Sequence, residues 1–294
     1  MNKPPPLPDH AQADLEALIE RLRPLREGKL EGTDPDSPEA DRFALAVCTL
    51  DGHEVFAGDA DQPLPLQSMS KPFIYGMALD TVGRETVLRH CNVEPTGEAF
   101  NSISELEEDR LPYNPMINSG AITMSALLHH RDPEQARDRM MAMFGEYIGH
   151  EAGLDEAVLG REMKAGHRNQ AIAHLLRHFE VIGDDIDGAL ALYTSQCSVL
   201  ATTRDLARMA ATLANGGVHP ITGRQALKRE HVRDVLSVMF TCGMYDASGN
   251  WAFHVGLPAK SGISGGILAV VPGRMGLAAW SPRLDRHGNS IRAT

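Results

Sequence analysis

The stretch that decides the fold is Leu66-Gln67-Ser68-Met69-Ser70-Lys71-Pro72-Phe73, followed by the apolar run from Ile74 to Val82. The run predicts a helix, and Pro72 places the first turn here because proline is tolerated in a helix only near its start. Residues three apart share a helical face, so the Ser68 hydroxyl and the Lys71 amine should meet at the helix entrance. An amine that has lost its proton in a partly dry pocket can activate a serine. Ser68 is therefore a candidate nucleophile, and Lys71 is its candidate base.

The composition narrows the class of protein. The chain has 294 residues, of which 43% are hydrophobic, and a formal net charge of -11. It is long enough to bury a large core as one sizeable domain or two lobes. The negative charge argues against a nucleic-acid or membrane surface, so small molecules or proteins are the expected partners.

Three features predict a cytoplasmic protein. No stretch approaches the roughly 20 continuous apolar residues of a membrane span. The proline-rich start of the chain is not followed by the apolar core of a signal peptide. The four cysteines are widely spaced without a C-x-x-C pair and are expected to be buried thiols of a reducing compartment: Cys48, Cys91, Cys197 and Cys242.

Strand patterns lie at both ends of the chain, and helical patterns lie between them. Asp51-Gly52 separates two apolar runs and predicts a β-hairpin, and Ala11 to Leu25 predicts a surface helix. Helical spacing runs from Thr81 to about Asn215, with Thr203 as the cap of the last helix. Four later segments read as strands: Trp251 to Val255, Ala259 to Ile263, Gly266 to Val271 and Met275 to Trp280. The economical fold class is α+β, in which one antiparallel sheet is built from both chain ends, terminal helices cover one face and an all-α lobe is inserted.

A second candidate element is the segment from Ala259 to Gly266, which contains Lys260-Ser261-Gly262. Glycines there let a ligand approach the backbone, and a strand amide can donate to an oxyanion beside the Ser68 amide. A plain hairpin with a glycine turn is the alternative. Together with Ser68-x-x-Lys71, the segment resembles the serine β-lactamase and penicillin-binding-protein architecture, whose signatures include S-x-x-K and K-T-G. That resemblance concerns the fold and does not identify the substrate.

Further blocks resemble the serine-dependent glutaminase family, which hydrolyses L-glutamine to L-glutamate and ammonia. The match extends in one order from about Gly28 to Arg292. Its blocks are Tyr113 to Ile122, Gly166 to Asn169, Tyr193 to Ser198, Leu213 to Gly217, Thr241 to Asp246 and Phe253 to Gly262. The resemblance implies an N-terminal tail and helix over 1–27 and a catalytic domain over 28–294. Within that domain we expect a sheet lobe, about 40–65 plus 245–294, and a helical lobe, about 66–244.

The resemblance also implies roles for individual residues. Tyr245 matches a tyrosine beside Ser68 and Lys71, and it serves either as a phenolate relay or as a donor to the leaving amine. The Ile263 amide is expected in the oxyanion hole with that of Ser68. The residues that match ligands of the amino-acid head are Glu162, for the ammonium, with Asn118, Asn169 and Tyr193. The resemblance implies a homo-oligomer, either a dimer or a tetramer. It implies no cofactor and no metal. His174 and His178 have the helical spacing of two metal ligands but lack the glutamate of the zinc-protease pattern.

Two departures from the family keep alternatives open. Thr33 stands where the family has a tyrosine that closes over the pocket, which puts affinity for glutamine in doubt. The chain stops at Thr294, where the family continues into a further helix, so another chain covers the sheet face or stability is reduced. The alternatives are a hydrolase of peptides or β-lactams with the same nucleophile and a non-catalytic binding protein. Ammonia release from L-glutamine separates all three.

Overall fold

A computed structural model describes residues 6–96 and 110–294 of the chain. Residues 1–5, the start of the expected N-terminal tail, lie outside the described part. The helices are α1 (Ala11–Leu22), α2 (Lys71–Val82), α3 (Arg84–His90), α4 (Asn118–Arg131), α5 (Ala136–Ile148), α6 (Glu156–Ala165), α7 (His167–His178), α8 (Ile186–Cys197), α9 (Thr203–Ala214), α10 (Arg229–Cys242) and α11 (Ser248–His254). Short 3-10 helices cover Pro38–Asp41, Gln67–Ser70 and Tyr245–Ala247.

The strands form one main sheet and two small ones. They are β1 (Lys29–Leu30), β2 (Ala44–Thr49), β3 (Glu54–Gly58), β4 (Leu64–Pro65), β5 (Leu200–Ala201), β6 (Ala259–Ser261), β7 (Gly266–Val271), β8 (Met275–Trp280) and β9 (Arg283–Leu284). The main sheet is antiparallel in the order β3-β2-β8-β7-β6, and its central pairing joins β2 to β8 with Ala44 opposite Trp280. The predicted sheet built from both chain ends is therefore confirmed.

Each face of the sheet is covered by a helix. On one face, Ile19 of α1 packs with Phe43 and Ala57. On the other face α9 lies close to the strands, because β8 carries Gly276 at the crossing. A side chain at that position would meet the Ala207 carbonyl oxygen at 2.2 Å. The glycine thus lets the backbone of α9 approach the sheet directly.

Three sequence-based boundaries were wrong. Trp251 to Val255 is not a strand, because α11 covers Ser248–His254 and the Trp251 indole donates to the Leu257 carbonyl at 2.8 Å. The cap of α9 is Thr202 and not Thr203. The Thr202 hydroxyl accepts from the Asp205 amide while the Asp205 carboxylate accepts from the Thr202 amide, which is a capping box. The strand that starts at Ala259 ends at Ser261, so Ile263 lies in the turn that follows.

A network of charges ties β3 to α9. Glu54 accepts from Arg208 Nε at 2.8 Å, from a second Arg208 nitrogen at 2.9 Å and from Arg204 at 3.2 Å. Burial acts to raise the pKa of Glu54, but the two arginines outweigh it and hold that pKa below its ordinary value of 4.5.

We expect Glu54→Gln to lower the free energy of unfolding by about 2–3 kcal/mol, because two half-buried guanidinium groups lose their carboxylate. Urea unfolding at neutral pH measures this, with kcat/KM unchanged below the unfolding transition. Since the folded pKa lies below the unfolded one, the contribution is present above pH 4.5 and is lost as pH falls through the folded value. A variant that unfolds at the wild-type urea concentration contradicts this account of the network.

The described residues contain no helix that is long and apolar enough to cross a membrane. The four cysteines are free and buried, as the sequence predicts.

Candidate active site

Ser68 and Lys71 meet where the 3-10 helix Gln67–Ser70 runs directly into α2. Lys71 Nζ lies 2.9 Å from Ser68 Oγ, and Pro72 occupies the first turn of α2. Only 7% of Ser68 and 1% of Lys71 are exposed to solvent. The structure thus brings the two side chains together at the helix entrance, as the spacing predicts.

The environment of Lys71 favours its neutral form. Burial lowers the pKa of Lys71 from 10.5 to about 8, and a weaker influence of the Cys197 thiol acts in the opposite direction. Charged amines lose hydration when they are buried, whereas neutral amines lose much less. At slightly alkaline pH a large fraction of Lys71 can therefore accept a proton from Ser68.

Two asparagines continue the chain of hydrogen bonds that runs from Ser68 to Lys71. Asn118, the first residue of α4, accepts a hydrogen bond from Lys71 Nζ at 2.8 Å through Oδ1. Its Nδ2 then donates to Asn169 Oδ1 of α7 at 3.0 Å. The structure therefore links Lys71 directly to Asn118, and through Asn118 to Asn169, which are two of the residues expected to hold the amino-acid head.

Tyr245 lies in the 3-10 helix that follows α10, and its phenol interacts with Ser68. Its hydroxyl donates to the Ser261 carbonyl at 3.1 Å, and its backbone has a positive φ of 56°. Burial raises the pKa of the Tyr245 phenol well above its ordinary value, and a hydrogen bond with Ser68 opposes this only in part. The phenol is therefore protonated at neutral pH.

Lys260 is a buried residue of this site for which the sequence predicts no role beyond the Lys-Ser-Gly pattern. Its Nζ donates to the Gly243 carbonyl at 3.0 Å and to the Ser261 carbonyl at 2.8 Å, and it lies 4.3 Å from the centre of the Tyr245 ring. Burial lowers the pKa of Lys260 well below its ordinary value, and the charge of Lys71 adds to the effect. Lys260 thus shares the Ser261 carbonyl with Tyr245 and packs against the face of its ring.

The glycine-rich turn after β6 packs on the segment that carries Ser68. A side chain on Gly262 would meet the Leu66 carbonyl oxygen at 3.0 Å, and one on Gly266 would meet Met69 Cε at 2.4 Å. Within the described residues, neither the Ser68 amide nor the Ile263 amide donates to a protein acceptor. The turn that contains Ile263 therefore packs directly on the segment that carries Ser68.

Tyr193 and Glu162 lie on the helical side of the site. Tyr193 is buried on α8, and burial raises the pKa of its phenol well above the ordinary value, with further contributions from Cys197, Glu162 and Tyr245. Burial raises the pKa of the Cys197 thiol to about 11, and the nearby Lys71, Tyr193 and Ser70 oppose this only in part. The sequence treats Cys197 as one of four buried thiols, although its position one helical turn after Tyr193 is a signal that could have placed it here. Thr33 lies half-buried in the loop that follows β1.

Comparison with known proteins identifies the family of this chain. The chain matches the Glutaminase family model over residues 36–294. It is 47% identical to the glutaminase of Trichormus variabilis over 277 residues, which cover 94% of this chain and 83% of that protein. The structure of the probable glutaminase ybaS superposes with a TM-score of 0.89 at 38% identity, over 96% of this chain and 93% of that one. The structure of Mglu in its glutamate form gives 0.90 at 40% identity, over 98% and 67%. This chain belongs to the glutaminase family.

Proposed function

We propose that this glutaminase hydrolyses L-glutamine to L-glutamate and ammonia through an acyl-enzyme on Ser68. The observation that carries the proposal is the buried contact of 2.9 Å between Ser68 Oγ and Lys71 Nζ, with the pKa of Lys71 lowered to about 8. A serine hydroxyl becomes an effective nucleophile when an adjacent base accepts its proton.

In the acylation half, Lys71 takes the proton of Ser68 while Oγ attacks the side-chain amide carbon of glutamine. The amides of Ser68 and Ile263 stabilise the oxyanion of the tetrahedral intermediate. The bond between carbon and nitrogen then breaks, and the proton held by Lys71 passes to the departing nitrogen to give ammonia. In the deacylation half, Lys71 takes a proton from the water that attacks the ester and then passes this proton to Ser68 Oγ as the ester bond breaks, which releases glutamate and restores the Ser68 hydroxyl.

Tyr245 acts in this scheme as a hydrogen-bond donor to the departing nitrogen. Of the two roles that the resemblance leaves open, the phenolate relay requires a deprotonated ring. Burial opposes that charge and raises the pKa of the phenol. The protonated phenol therefore supports the donor role, in which its hydrogen turns from the Ser261 carbonyl to the departing nitrogen.

The amino-acid head of the substrate is held on the helical side. Glu162 supplies the acceptor for the ammonium, and Asn118, Asn169 and Tyr193 supply the polar groups for the rest of the head. Asn118 turns its Nδ2 away from Lys71 and toward Asn169, which supports a shared binding surface for these groups. The related Mglu was crystallised in its glutamate form, in line with glutamate as the product here.

A substrate comparison tests the proposal. We expect ammonia release from L-glutamine, with kcat/KM at least about 100-fold lower for L-asparagine and D-glutamine, because misplaced reacting atoms lose the benefit of orientation. Hydroxylamine added during turnover should divert the acyl-enzyme to γ-glutamyl hydroxamate. Hydrolysis of nitrocefin without hydrolysis of L-glutamine would contradict the proposed substrate.

We also propose a cytoplasmic location and a homo-oligomeric assembly. Four free, buried thiols are in keeping with a reducing compartment. The assembly rests on the resemblance to the family, and size-exclusion chromatography with light scattering measures it.

A further inference from the structure

We propose that the turn formed by Asp285 to Asn289 is a clamp on Tyr245, and that His287 is the positioning residue through which it acts. This inference rests on the proposed role of Tyr245 as donor to the departing nitrogen. His287 Nδ1 lies 2.7 Å from Oδ2 of Asp246, the residue that directly follows Tyr245. Nothing in the Ser68-x-x-Lys71 or Lys-Ser-Gly patterns points to this turn.

Tyr245 needs such support because its backbone is strained. A φ of 56° is uncommon for a residue with a large side chain. Conformations of this kind persist only where the surroundings hold them in place. Part of the support is local, because Ser248 Oγ accepts from the Met244 amide at 3.0 Å and donates to the Tyr245 carbonyl at 2.7 Å.

The turn supplies support from outside this segment. Gly288 lies against the site, since a side chain built there would stand 3.6 Å from Tyr245 Cε2 and 3.8 Å from Ile263 Cγ2. The turn therefore lies beside both the phenol ring and Ile263, with space for about one methyl group between them and Gly288.

The clamp is itself rigid. Asp285 Oδ1 accepts from the His287 amide at 2.8 Å and from the Asn289 amide at 2.9 Å. The Asp285 amide donates to the Asn289 carbonyl at 2.8 Å, and Gly288 supplies the positive φ that closes the turn. A preformed turn fixes where the imidazole of His287 can reach.

The hydrogen bonds assign the tautomer of His287. Arg286 Nε donates to Nε2 of the ring at 2.9 Å, so Nε2 is the acceptor and Nδ1 carries the hydrogen that goes to Asp246. About a quarter of the His287 side chain and a third of that of Asp246 are exposed. Partly exposed pairs of this kind add little to the free energy of unfolding. We therefore expect the loss of the His287–Asp246 pair to change the position of Tyr245.

The test compares three variants at position 287 in the full chain. We expect His287→Leu to lower kcat for L-glutamine about 10-fold with KM changed less than about 2-fold, because a displaced donor acts on the transition state more than on substrate binding. His287→Asn should restore most of the rate, since its Nδ2 can occupy the place of Nδ1, whereas His287→Gln should not. A matched control is His150→Leu, which removes an imidazole that contacts Asp205 at 3.3 Å, and its kcat should equal that of wild type.

A double-mutant cycle with Tyr245→Phe separates the clamp from the proposed function. If His287 acts through the phenol, His287→Leu should cost less than about 2-fold in the Tyr245→Phe background. Asp246→Ala should reproduce the loss of His287→Leu without adding to it, because alanine removes the oxygen that accepts from Nδ1. A normal kcat for His287→Leu together with a large defect in Tyr245→Phe overturns the clamp alone. A fully active Tyr245→Phe overturns the proposed donor role. Thermal unfolding of each variant shows that the loss is measured on folded protein.

Discussion

Replacing Ser68 by alanine is expected to lower kcat/KM for L-glutamine by at least about 10⁴-fold, the scale seen when a nucleophile that works with its base is removed. The variant keeps the backbone amide of the proposed oxyanion hole but cannot form the acyl-enzyme. Any residual reaction must then use water directly. Coupled detection of glutamate and ammonia measures both products.

Ser70→Ala is the matched control for this variant. Ser70 lies two residues further along the same 3-10 helix, is fully buried, and donates through Oγ to the Gln67 carbonyl at 2.7 Å. Its loss should cost less than about 10-fold, because it removes one buried hydrogen bond and leaves Lys71 and Ser68 in place. If Ser68→Ala were as active as Ser70→Ala, the nucleophile would lie elsewhere.

The second large effect is expected at Lys71. Lys71→Met should lower kcat/KM at least about 10³-fold, because the Ser68 proton then has no buried acceptor. In the wild type, log kcat/KM should rise with unit slope below about pH 8 and level off above it, since only the neutral amine can accept the proton. Lys228→Met should keep this profile, because Lys228 Nζ donates to the Asp80 carbonyl and lies outside the proposed site. A kcat/KM that does not change between about pH 6 and about pH 9 contradicts Lys71 as the base.

Loss of activity in Lys71→Met should not come from unfolding. At pH 7 the buried ammonium costs about 3 kcal/mol relative to the unfolded chain, since its pKa falls from 10.5 to about 8. The unfolded chain binds more protons between those two values, so this penalty fades as pH rises through that window. Methionine removes the penalty but leaves Asn118 Oδ1 without its donor, which costs about 1–3 kcal/mol. The two effects offset each other, and the urea midpoint should stay close to that of wild type.

The sequence predicted the sheet well because its signals are local. Asp51-Gly52 specifies a tight hairpin, and the runs from Gly266 to Val271 and from Met275 to Trp280 match β7 and β8 residue for residue. The α+β class followed from these strands and the helical middle, whereas the β-lactamase-like architecture came from the resemblance carried by Ser68-x-x-Lys71 and Lys260-Ser261-Gly262. Trp251 to Val255 was assigned wrongly because a short apolar run does not distinguish a strand from a helix. Its helix depends on contacts such as that of the Trp251 indole with Leu257, which residue spacing does not reveal.

The predictions for the candidate site also divide into those with a local sequence signal and those without one. Ser68 and Lys71 could be paired from their spacing, because one helical turn brings them together. Tyr245 and the choice of Ile263 came only from resemblance to the family, since both lie far from Ser68 along the sequence. The sequence placed Lys260 in the Lys-Ser-Gly pattern but predicted no role for its side chain. Its contacts with the Gly243 carbonyl and the Tyr245 ring depend on the fold and cannot be seen in residue spacing.

The most direct test of the central claim is to trap the intermediate. Enzyme mixed with excess L-glutamine, quenched in acid within one turnover and digested, should yield the peptide containing Ser68 with one glutamyl group attached as an ester. The adduct should disappear on treatment with hydroxylamine and be absent from Ser68→Ala. Full-rate hydrolysis of L-glutamine with no glutamyl group on Ser68, or with the group on another residue, would contradict the account.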